Sequence, residues 1–396
     1  MTKHKSWLRR LTQSSIFSKA FQLLSSNDTE SSNDDTEELP PEPLSHVNGK
    51  GCSYLSTYKR IAGKVQPSQC LSCEKSSNMA LPSSSTIVAS EVIANRFEIF
   101  DTLGSGAYGH VVRARDITTN NTVAIKTISK DKIPFTQFTN DRTRGHIPKE
   151  AFILSRLNHP NIIGFIDILQ DTGNYYLITQ YSTNNVRDLF DFIDQHSATL
   201  LSSRCRRIFK QVVSAIEYLH SKEYVHRDIK DENVLIDEND NIFVIDFGNA
   251  GHIPVSFGDF FTNVCGTPHA MAPEVSQRRP HQGVKGDIWS LGILLYTLLY
   301  GEIPFQSEAE MMSGVNSLPH RRKRGGLVMN LLEQMLQLEP ENRISLEEIT
   351  KHSWMTASDE TIDRDDFTDD KGNVEIRDIT SIRAAKRVKR RTRSVP

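Results

Sequence analysis

The sequence contains few cysteines and no apolar run long enough to cross a membrane. Its five cysteines are an odd number spread through 396 residues. No apolar leader with a small-residue cleavage site opens the chain, so we expect a reducing, intracellular setting. The most apolar run, Ile288 to Tyr300, is too short to span a bilayer and predicts a buried helix. A strong net charge is also missing: the value of -2 excludes no class of partner, because the charge is segregated along the chain.

Composition divides the chain into three parts. Residues 1–94 are rich in Ser, Thr, Asn, Asp and Pro, which predicts a disordered region. Residues 95–356 carry periodic apolar patterning, with strands dominant up to about Ser182 and helices after it. Residues 357–396 form a tail that is acidic and then basic. A strand-rich half followed by a helix-rich half predicts two lobes with a cleft between them.

A glycine-rich segment, LGSGAYGHVV, opens the middle part and has the pattern G-x-G-x-x-G at Gly104, Gly106 and Gly109. Followed by a helix, this pattern binds the pyrophosphate of a dinucleotide, whereas followed by a strand it covers the phosphates of ATP. Here a strand-like run, a turn and the strand-like run TVAIK follow the glycines. The segment therefore predicts a loop over ATP phosphates, with Lys126 supplying positive charge to the α- and β-phosphates.

Two further motifs, VHRDIKDEN and IDFGNA, carry the other groups that phosphoryl transfer needs. A carboxylate must orient and deprotonate the acceptor hydroxyl, and Asp228 is placed for that role. Asn233 and Asp246 offer hard oxygen donors of the kind that Mg²⁺ prefers. Lys230, two residues after Asp228, would neutralise charge on the γ-phosphoryl group as it moves.

With Ala-Pro-Glu at residues 272–274, five motifs follow one another in the order and spacing of one family. Over residues 97–356 the chain resembles eukaryotic protein kinases. The resemblance implies an α+β, bilobal fold with a β-rich N-lobe and an α-helical C-lobe between disordered tails. It also implies ATP and Mg²⁺ as cofactors and protein substrates with Ser or Thr acceptors, because Lys230 is typical of Ser/Thr rather than tyrosine kinases. Segments such as EAFILSRLNHPNIIGFIDIL are similar to the calmodulin-dependent kinase group, and in particular to PAS and PIM kinases.

The same resemblance assigns roles to further residues. Glu150 would pair with Lys126, and Glu274 with Arg343. Thr179 stands at the gatekeeper position before the hinge. The residues expected to bind ATP are Leu103, Gly104, Ser105, Gly106, Ala107, Tyr108, Gly109, Val111, Ala124, Lys126, Thr179, Gln180, Tyr181, Asp188 and Leu235. The regulatory spine, anchored by Asp287, would consist of Leu154, Phe165, His226 and Phe247.

Acidic residues line the expected substrate groove. Asp188, Asp231 and Glu232 predict a preference for Arg or Lys upstream of the target residue. Thr297 stands where basophilic kinases often carry another acid, so we expect the preference to be modest.

Two alternative functions remain open. Phosphotransferases of this fold that act on small molecules generally lack the motifs around residues 272–274 and Asp287, which ranks that alternative last. A pseudokinase that binds partners without catalysis is the other alternative, although this chain keeps every catalytic group.

The activation segment departs from the family pattern. Many kinases place a phosphorylated threonine where this chain has Asn263, and a lysine where it has Gly251. Arg227 thus has few basic neighbours with which to bind a phosphate group, which predicts activity without phosphorylation of this segment. His269 and Ala270 also replace the usual Glu-Tyr before Ala-Pro-Glu.

The two ends of the chain carry weaker patterns. Cys52, Cys70 and Cys73 could bind zinc with His46, or be free thiols in a disordered segment. The first 24 residues are basic with apolar residues at helical spacing, which fits a membrane-surface helix, a mitochondrial presequence or a solvated tail.

A dense basic block, AAKRVKRRTR, lies near the other end at residues 384–393. It resembles a nuclear localisation signal and predicts an import receptor as partner. A solvated run and an autoinhibitor that enters the acidic groove are the alternatives. We expect a cytoplasmic and/or nuclear protein, and no nucleic-acid partner.

Overall fold

The computed structural model describes residues 90–106, 109–182, 185–196, 200–254, 260–314 and 325–365. The strands are β1 Phe97–Gly106, β2 Gly109–Asp116, β3 Thr122–Ser129, β4 Phe138–Asp141, β5 Gly145–Pro148, β6 Phe165–Gln170, β7 Asn174–Gln180, β8 Arg187–Asp188, β9 Tyr224–Val225, β10 Val234–Ile236, β11 Ile242–Val244 and β12 Gly251–His252. The helices are α1 Glu91–Ala94, α2 Lys149–Leu154, α3 Leu189–His196, α4 Ser202–Ser221, α5 Pro273–Ser276, α6 Gly283–Tyr300, α7 Glu308–Met312, α8 Gly326–Met335, α9 Leu346–Lys351, α10 Ser353–Thr356 and α11 Asp359–Asp365.

The N-terminal lobe is built on one antiparallel sheet in the order β1-β2-β3-β7-β6. Alternate residues of these strands point to one face and form a core with two residues from the segment before β1 and at its start. This core consists of Ile93, Phe97, Val112, Ala114, Val123, Ile125, Tyr176 and Ile178. Ile93 of α1 is buried in this core although it precedes the boundary predicted at residue 95.

The glycine-rich segment joins two strands, as expected. β1 ends at Gly106 and β2 begins at Gly109, and the two strands pair directly at that end. Gly109 lies against β3 so closely that a Cβ atom there would be 2.0 Å from the carbonyl oxygen of Thr127. A residue with a side chain does not fit this position, which explains one of the three glycines sterically. No helix follows the glycines, so the dinucleotide interpretation is excluded.

The C-terminal lobe is helical and surrounds α6. Every residue of α6 from Asp287 to Leu299 is buried, so the most apolar run of the sequence forms the central helix of this lobe. Gly301 ends that helix in the left-handed conformation, at φ 76°. α4 covers residues 202–221 with an amphipathic pattern, as predicted. The predicted bilobal α+β fold is confirmed, and among the described residues no helix is both long and apolar enough to span a membrane.

The described structure continues past residue 356 into α11, which packs on the C-terminal lobe. Ile362 of this helix is buried. Its acidic residues accept hydrogen bonds from the first turns of two other helices: Asp363 from the backbone N–H of Ser203 in α4, and Asp365 from that of Leu327 in α8. Because N–H groups in the first turn of a helix have no partner within it, these carboxylates complete both helices.

Candidate active site

Three charged side chains meet between the lobes. The Lys126 ammonium on β3 lies 2.7 and 2.9 Å from the two carboxylate oxygens of Glu150 on α2. It also lies 3.1 Å from Oδ1 of Asp246, which is 120 residues further along the chain. The structure therefore brings together the lysine predicted to hold the phosphates, the acid predicted to pair with it and one of the predicted metal ligands.

Burial and charge act in opposite directions on this cluster. Burial alone would lower the pKa of Lys126, but the carboxylates of Glu150 and Asp246 raise it above the usual value. Burial raises the pKa of Glu150, and Lys126 works against that rise. Burial would also raise the pKa of Asp246, but Lys126 lowers it below its usual value. A cation at Lys126 thus keeps Asp246 ionised, as a metal ligand must be.

The predicted catalytic residue, Asp228, is held by three polar side chains. Its Oδ1 accepts a hydrogen bond of 2.6 Å from the Thr267 hydroxyl. Its Oδ2 accepts 3.3 Å hydrogen bonds from the amide groups of Asn233 and Asn249, and the Lys230 ammonium lies 4.0 Å away. These contacts fix the carboxylate in the cleft.

The loop that carries Asp228 is fastened to α6 by a buried carboxylate. Asp287 accepts hydrogen bonds from the backbone N–H groups of His226 and Arg227, at 2.9 and 2.8 Å, and from the His220 ring at 2.8 Å. The His226 ring in turn contacts the ring of Phe247 edge-on, with centroids 5.0 Å apart. Two members of the predicted spine are therefore in contact and its predicted anchor lies beneath them.

Two residues at the site have a backbone conformation that side chains disfavour. Arg227 and Asp246 have φ values of 62° and 61°. Residues other than glycine pay a conformational cost in this region and keep it only where their surroundings hold them. Arg227 directly precedes Asp228 and Asp246 is itself a predicted metal ligand, so this strain lies where the catalytic side chains are positioned.

The predicted metal ligands suit Mg²⁺. The Asn233 amide nitrogen donates a hydrogen bond to the backbone oxygen of Asp228 at 2.9 Å. The amide oxygen therefore points the other way, where it could bind a metal ion. The backbone oxygen of Asn233 accepts from the N–H of Ile245, which places Asn233 beside the residue before Asp246. The Asp246 side chain remains 44% exposed. One amide oxygen and one accessible carboxylate form the hard-donor pair that Mg²⁺ takes alongside phosphate oxygens.

The strand register collects the predicted adenine and phosphate residues on one face of the sheet. Lys126 lies opposite Val111 on β2, and Ala124, two residues before it, lies opposite Thr179 on β7. Residues two apart on a strand share a face, and so do direct cross-strand partners. Val111, Ala124, Lys126 and Thr179 therefore face the same way, toward the cleft side defined by Glu150.

The hinge and the far side of the cleft hold the remaining predicted ATP residues. Gln180, the first hinge residue, donates its backbone N–H to the Gly164 oxygen at 2.8 Å. Leu235 on β10 pairs directly with Asp188 on β8. Leu103, Gly104, Ser105 and Gly106 lie on β1, and Tyr181 is the second hinge residue. Ala107 and Tyr108 lie outside the described residues.

The predicted substrate acids differ in how far they are already engaged. Asp188 accepts the N–H of Asp191 in the first turn of α3 at 2.7 Å. Glu232 keeps one buried carboxylate oxygen, Oε2, without a hydrogen-bond partner among the described residues. Burial would raise the pKa of Glu232, but Lys230 and, to a smaller extent, His269 contribute to lowering it. Thr297 is buried and donates its hydroxyl to the Ile293 oxygen of its own helix, so it adds no charge here.

Arg227 is surrounded by uncharged partners from the activation segment. It donates to the backbone oxygen of Asn249 at 2.8 Å and to the Asn263 side chain at 3.0 Å. Its guanidinium lies over the ring of Phe261, with 4.5 Å to the centroid. A Cβ on Gly251 would approach both Phe261 and Arg227, at 3.0 and 3.2 Å. Arg227 therefore contacts the Phe261 ring and the Asn263 amide, in a segment where many kinases have a lysine and a phosphothreonine.

Sequence reasoning overlooked three of these residues. Asn249 belongs to the IDFGNA motif and Thr267 lies two residues before His269, and the sequence alone gives neither a role, although each bonds to Asp228. Phe261 was not singled out, and only its aromatic character beside the missing phosphorylation site offered a signal. Several predictions fall outside the described residues: zinc at Cys52, Cys70 and Cys73, membrane contact by residues 1–24, and import through residues 384–393.

The comparisons with known proteins agree with this geometry. NUAK family SNF1-like kinase 1 of Homo sapiens is 35% identical over 266 residues, which are 66% of this chain and 39% of that protein. The PAS domain-containing serine/threonine-protein kinase of Mus musculus is 38% identical over 66% of this chain and 18% of its own length. The carbon catabolite-derepressing protein kinase of Saccharomyces cerevisiae is 34% identical over 70% and 43%.

This chain thus spans about two fifths of the length of the NUAK relatives it matches. The relatives are kinases of the calmodulin-dependent kinase group, so the predicted resemblance to that group and to PAS kinases is confirmed. A family model described as the protein kinase domain matches residues 97–355, well over half of the 396 residues. The chain belongs to the protein kinase family.

Proposed function

We propose that this protein is a Ser/Thr protein kinase that transfers the γ-phosphate of ATP to hydroxyl groups of protein substrates. The observation that carries the proposal is the assembled contact of Lys126 with Glu150 and Asp246, next to an Asp228 held in place by Thr267 and Asn233. A relative is itself named a serine/threonine-protein kinase. Incubation of the full chain with labelled ATP, Mg²⁺ and peptides that differ only in Ser, Thr or Tyr as acceptor tests it.

The arrangement supports the following division of labour. Asp228 takes the proton of the substrate hydroxyl while the hydroxyl oxygen bonds to the γ-phosphorus. The bond between the γ-phosphorus and the β–γ bridging oxygen breaks, which releases ADP. Lys230, beside Asp228, neutralises charge on the transferred group. Lys126 holds the α- and β-phosphates. Asn233 and Asp246 would bind Mg²⁺, which supplies positive charge to the phosphate oxygens when present. Positioning and charge stabilisation supply most of the catalysis.

The pseudokinase alternative is not favoured. A scaffold that binds ATP without turnover gains nothing from a carboxylate at position 228 that is held in place by Thr267, Asn233 and Asn249. The small-molecule phosphotransferase alternative is weakened by the complete activation segment, which ends at Glu274 and is fastened to α6 through the 2.8 Å hydrogen bond from Ser290 to the Ala270 oxygen. Peptide phosphorylation in the assay above separates the proposal from both.

We also propose a modest preference for basic residues upstream of the acceptor. Glu232 supports it, because a buried carboxylate oxygen without a partner gains more from a substrate guanidinium than a solvated one does. His269 works against it, since its charge contributes to lowering the pKa of Glu232 and so competes for the same carboxylate. The preference should therefore be weaker than Asp188, Asp231 and Glu232 would give without His269.

Substitutions at these two positions should change selectivity in opposite directions. Glu232→Gln is expected to lower the kcat/KM ratio of an Arg-containing over an Ala-containing peptide by about tenfold, because a charge-assisted hydrogen bond is lost. His269→Glu is expected to raise that ratio. Glu238→Gln, an exposed acid nearby in the sequence, is the control. Equal ratios in all four proteins would contradict the assignment of Glu232 to the substrate groove.

Activity without phosphorylation of the activation segment is the second part of the proposal. Its support is that Arg227 already has a ring, an amide and a backbone oxygen as partners. Protein produced without phosphorylation is expected to transfer phosphate at full rate. Thr262→Ala removes the exposed threonine directly before Asn263, and is expected to change that rate by less than about twofold. Mass spectrometry would verify the absence of phosphate. A rate that appears only after treatment with another kinase would contradict it.

The basic block at residues 384–393 supports a further proposal, an import receptor as partner and hence a nuclear as well as a cytoplasmic location. Imaging the full chain with these basic residues replaced by Ala, Gln or Ser tests it, and an unchanged distribution would refute it. The membrane proposal for residues 1–24 would be tested in the same cells.

A further inference from the structure

A β-hairpin precedes the helix that carries Glu150. β4 and β5 pair in register from Phe138 opposite Pro148 to Asp141 opposite Gly145. Pro148 is both the last residue of β5 and the residue that caps α2, and Glu150 is the second residue of that helix. The hairpin is therefore joined to the start of α2 without a linker, and a shift of one must move the other.

The turn of the hairpin is organised around a nearly buried carboxylate. Oδ1 of Asp141 accepts hydrogen bonds from the backbone N–H groups of Thr143 and Arg144, at 2.9 and 3.0 Å, and from the Thr143 hydroxyl at 2.6 Å. The side chain of Asp141 is only 5% exposed. The hydrogen bonds of Thr143, together with Arg156, hold its pKa well below the usual range, so the carboxylate stays ionised.

The second oxygen of Asp141 reaches past the other end of α2. Its Oδ2 lies 3.1 Å from a guanidinium nitrogen of Arg156, two residues beyond the end of the helix. The same guanidinium donates to the Phe152 backbone oxygen at 2.8 Å and covers the Phe152 ring, 3.4 Å from its centroid. Arg156 thus binds the C-terminal turn of α2 and the turn of the hairpin at once.

The hairpin is also fastened to the sheet. The Tyr175 hydroxyl on β7 donates to the His146 backbone oxygen at 2.9 Å, and the Phe138 ring stacks on the His146 ring with centroids 4.7 Å apart. Arg144 lies over the ring of Phe165, a residue of the predicted spine, at 5.2 Å. β7 pairs directly with β3, the strand of Lys126. The hairpin therefore links α2 to the strands that carry its partner.

A helix of six residues needs such support. Isolated helices of this length are unstable in water, because the cost of the first turn is not repaid. In α2 the N-terminal end continues from β5 and the C-terminal end is held through Arg156. The position of Glu150 relative to Lys126 therefore depends on these two contacts at the ends of α2.

We propose that Asp141 and Arg156 form a clamp that positions α2, so that Glu150 reaches Lys126 without a separate activating partner. The residues are positioning residues, since neither lies in the catalytic cluster. The proposal rests on the kinase activity proposed above, and it extends it by naming what keeps the site assembled.

A double-mutant cycle tests the clamp in the full chain. Asp141→Asn and Arg156→Gln are each expected to lower kcat/KM for ATP by roughly tenfold, and the double variant by little more than either, because one contact is broken in all three. Arg156→Lys should restore part of the activity, since it keeps the charge. Arg115→Gln is the control: it removes an exposed ion pair with Glu98 in the same lobe, and should not change the rate.

Hydrogen–deuterium exchange of the α2 amides is the second readout, with thermal unfolding measured alongside. The clamp predicts faster exchange at residues 149–154 in the Asp141 and Arg156 variants, at an unfolding midpoint close to that of the Arg115 variant. Unchanged exchange and rates, losses that multiply in the double variant, or a loss explained by a fall in the midpoint would each overturn the clamp. An inactive wild type with faster exchange in the variants would refute the kinase activity and support the clamp.

Discussion

Asp228→Asn is expected to lower the rate of phosphoryl transfer by about 10²–10⁴-fold, the usual contribution of a positioned general base. Asparagine has the same shape, and its oxygen can still accept the hydrogen bond from Thr267. It cannot take the proton of a substrate hydroxyl, and its amide would face the donors of Asn233 and Asn249 where a carboxylate oxygen now accepts. The loss should appear in kcat, because Asp228 acts on the acceptor rather than on ATP.

The measurement pairs turnover with ATP binding. Fluorescent-nucleotide titration should give similar affinities for wild type and Asp228→Asn, while transfer to a Ser peptide falls. Asp194→Asn, an exposed aspartate of α3, is the matched control and should be fully active. Full activity of Asp228→Asn would remove Asp228 from the chemistry. A wild type that binds ATP but transfers nothing to peptides would instead favour the scaffold alternative.

Glu274→Gln is expected to destabilise the C-terminal lobe by about 3–5 kcal/mol, the cost of leaving one partner of a buried ion pair alone. Glu274 and Arg343 are bonded through two parallel contacts of 2.8 and 3.1 Å, and both side chains are at most 3% exposed. The charge of Arg343 would remain buried against the backbone oxygens of Lys285 and Gln337, which are partial charges only. The pair also fastens the end of the activation segment to the loop before α9.

Thermal and denaturant unfolding measure this effect. A midpoint lower by roughly 6–20 °C is expected for Glu274→Gln in a domain of this size. Glu347→Gln removes an exposed ion pair with Lys351, whose side chains are more than two thirds exposed, and should cost less than about 1 kcal/mol. A fall of similar size in both variants would show that burial gives the Glu274–Arg343 pair no special weight.

Much of this fold and site could be predicted because the chemistry is concentrated in short motifs. The loop VHRDIKDEN contains the base, the transfer lysine and one metal ligand within six residues, and local geometry largely sets their spacing. α6 could also be predicted, because the apolar run in its sequence indicates a buried helix without knowledge of its neighbours. In the structure all 13 residues from Asp287 to Leu299 are buried. The glycine segment was decided by the strand-like residues that follow it.

The remaining features depend on residues that are distant in the sequence. Thr267 reaches Asp228 across 39 residues, and Asn249 across 21. Nothing in the composition of the segment between Lys126 and Glu150 predicts that it pairs as β4 and β5 or that Asp141 meets Arg156. Such contacts depend on where the whole sheet places each turn, and periodicity does not contain that information.

The acidic residues of α11 bear on the C-terminal boundary of the folded kinase domain. The family model matches up to residue 355, yet Asp363 and Asp365 accept hydrogen bonds from the first turns of α4 and α8. Arg206 also contacts Asp359 and the Ala357 backbone oxygen. A chain cut at the family limit would expose the ends of two core helices and a buried cation. We therefore expect the folded domain to require α11, although this helix lies beyond the residues that the family model matches.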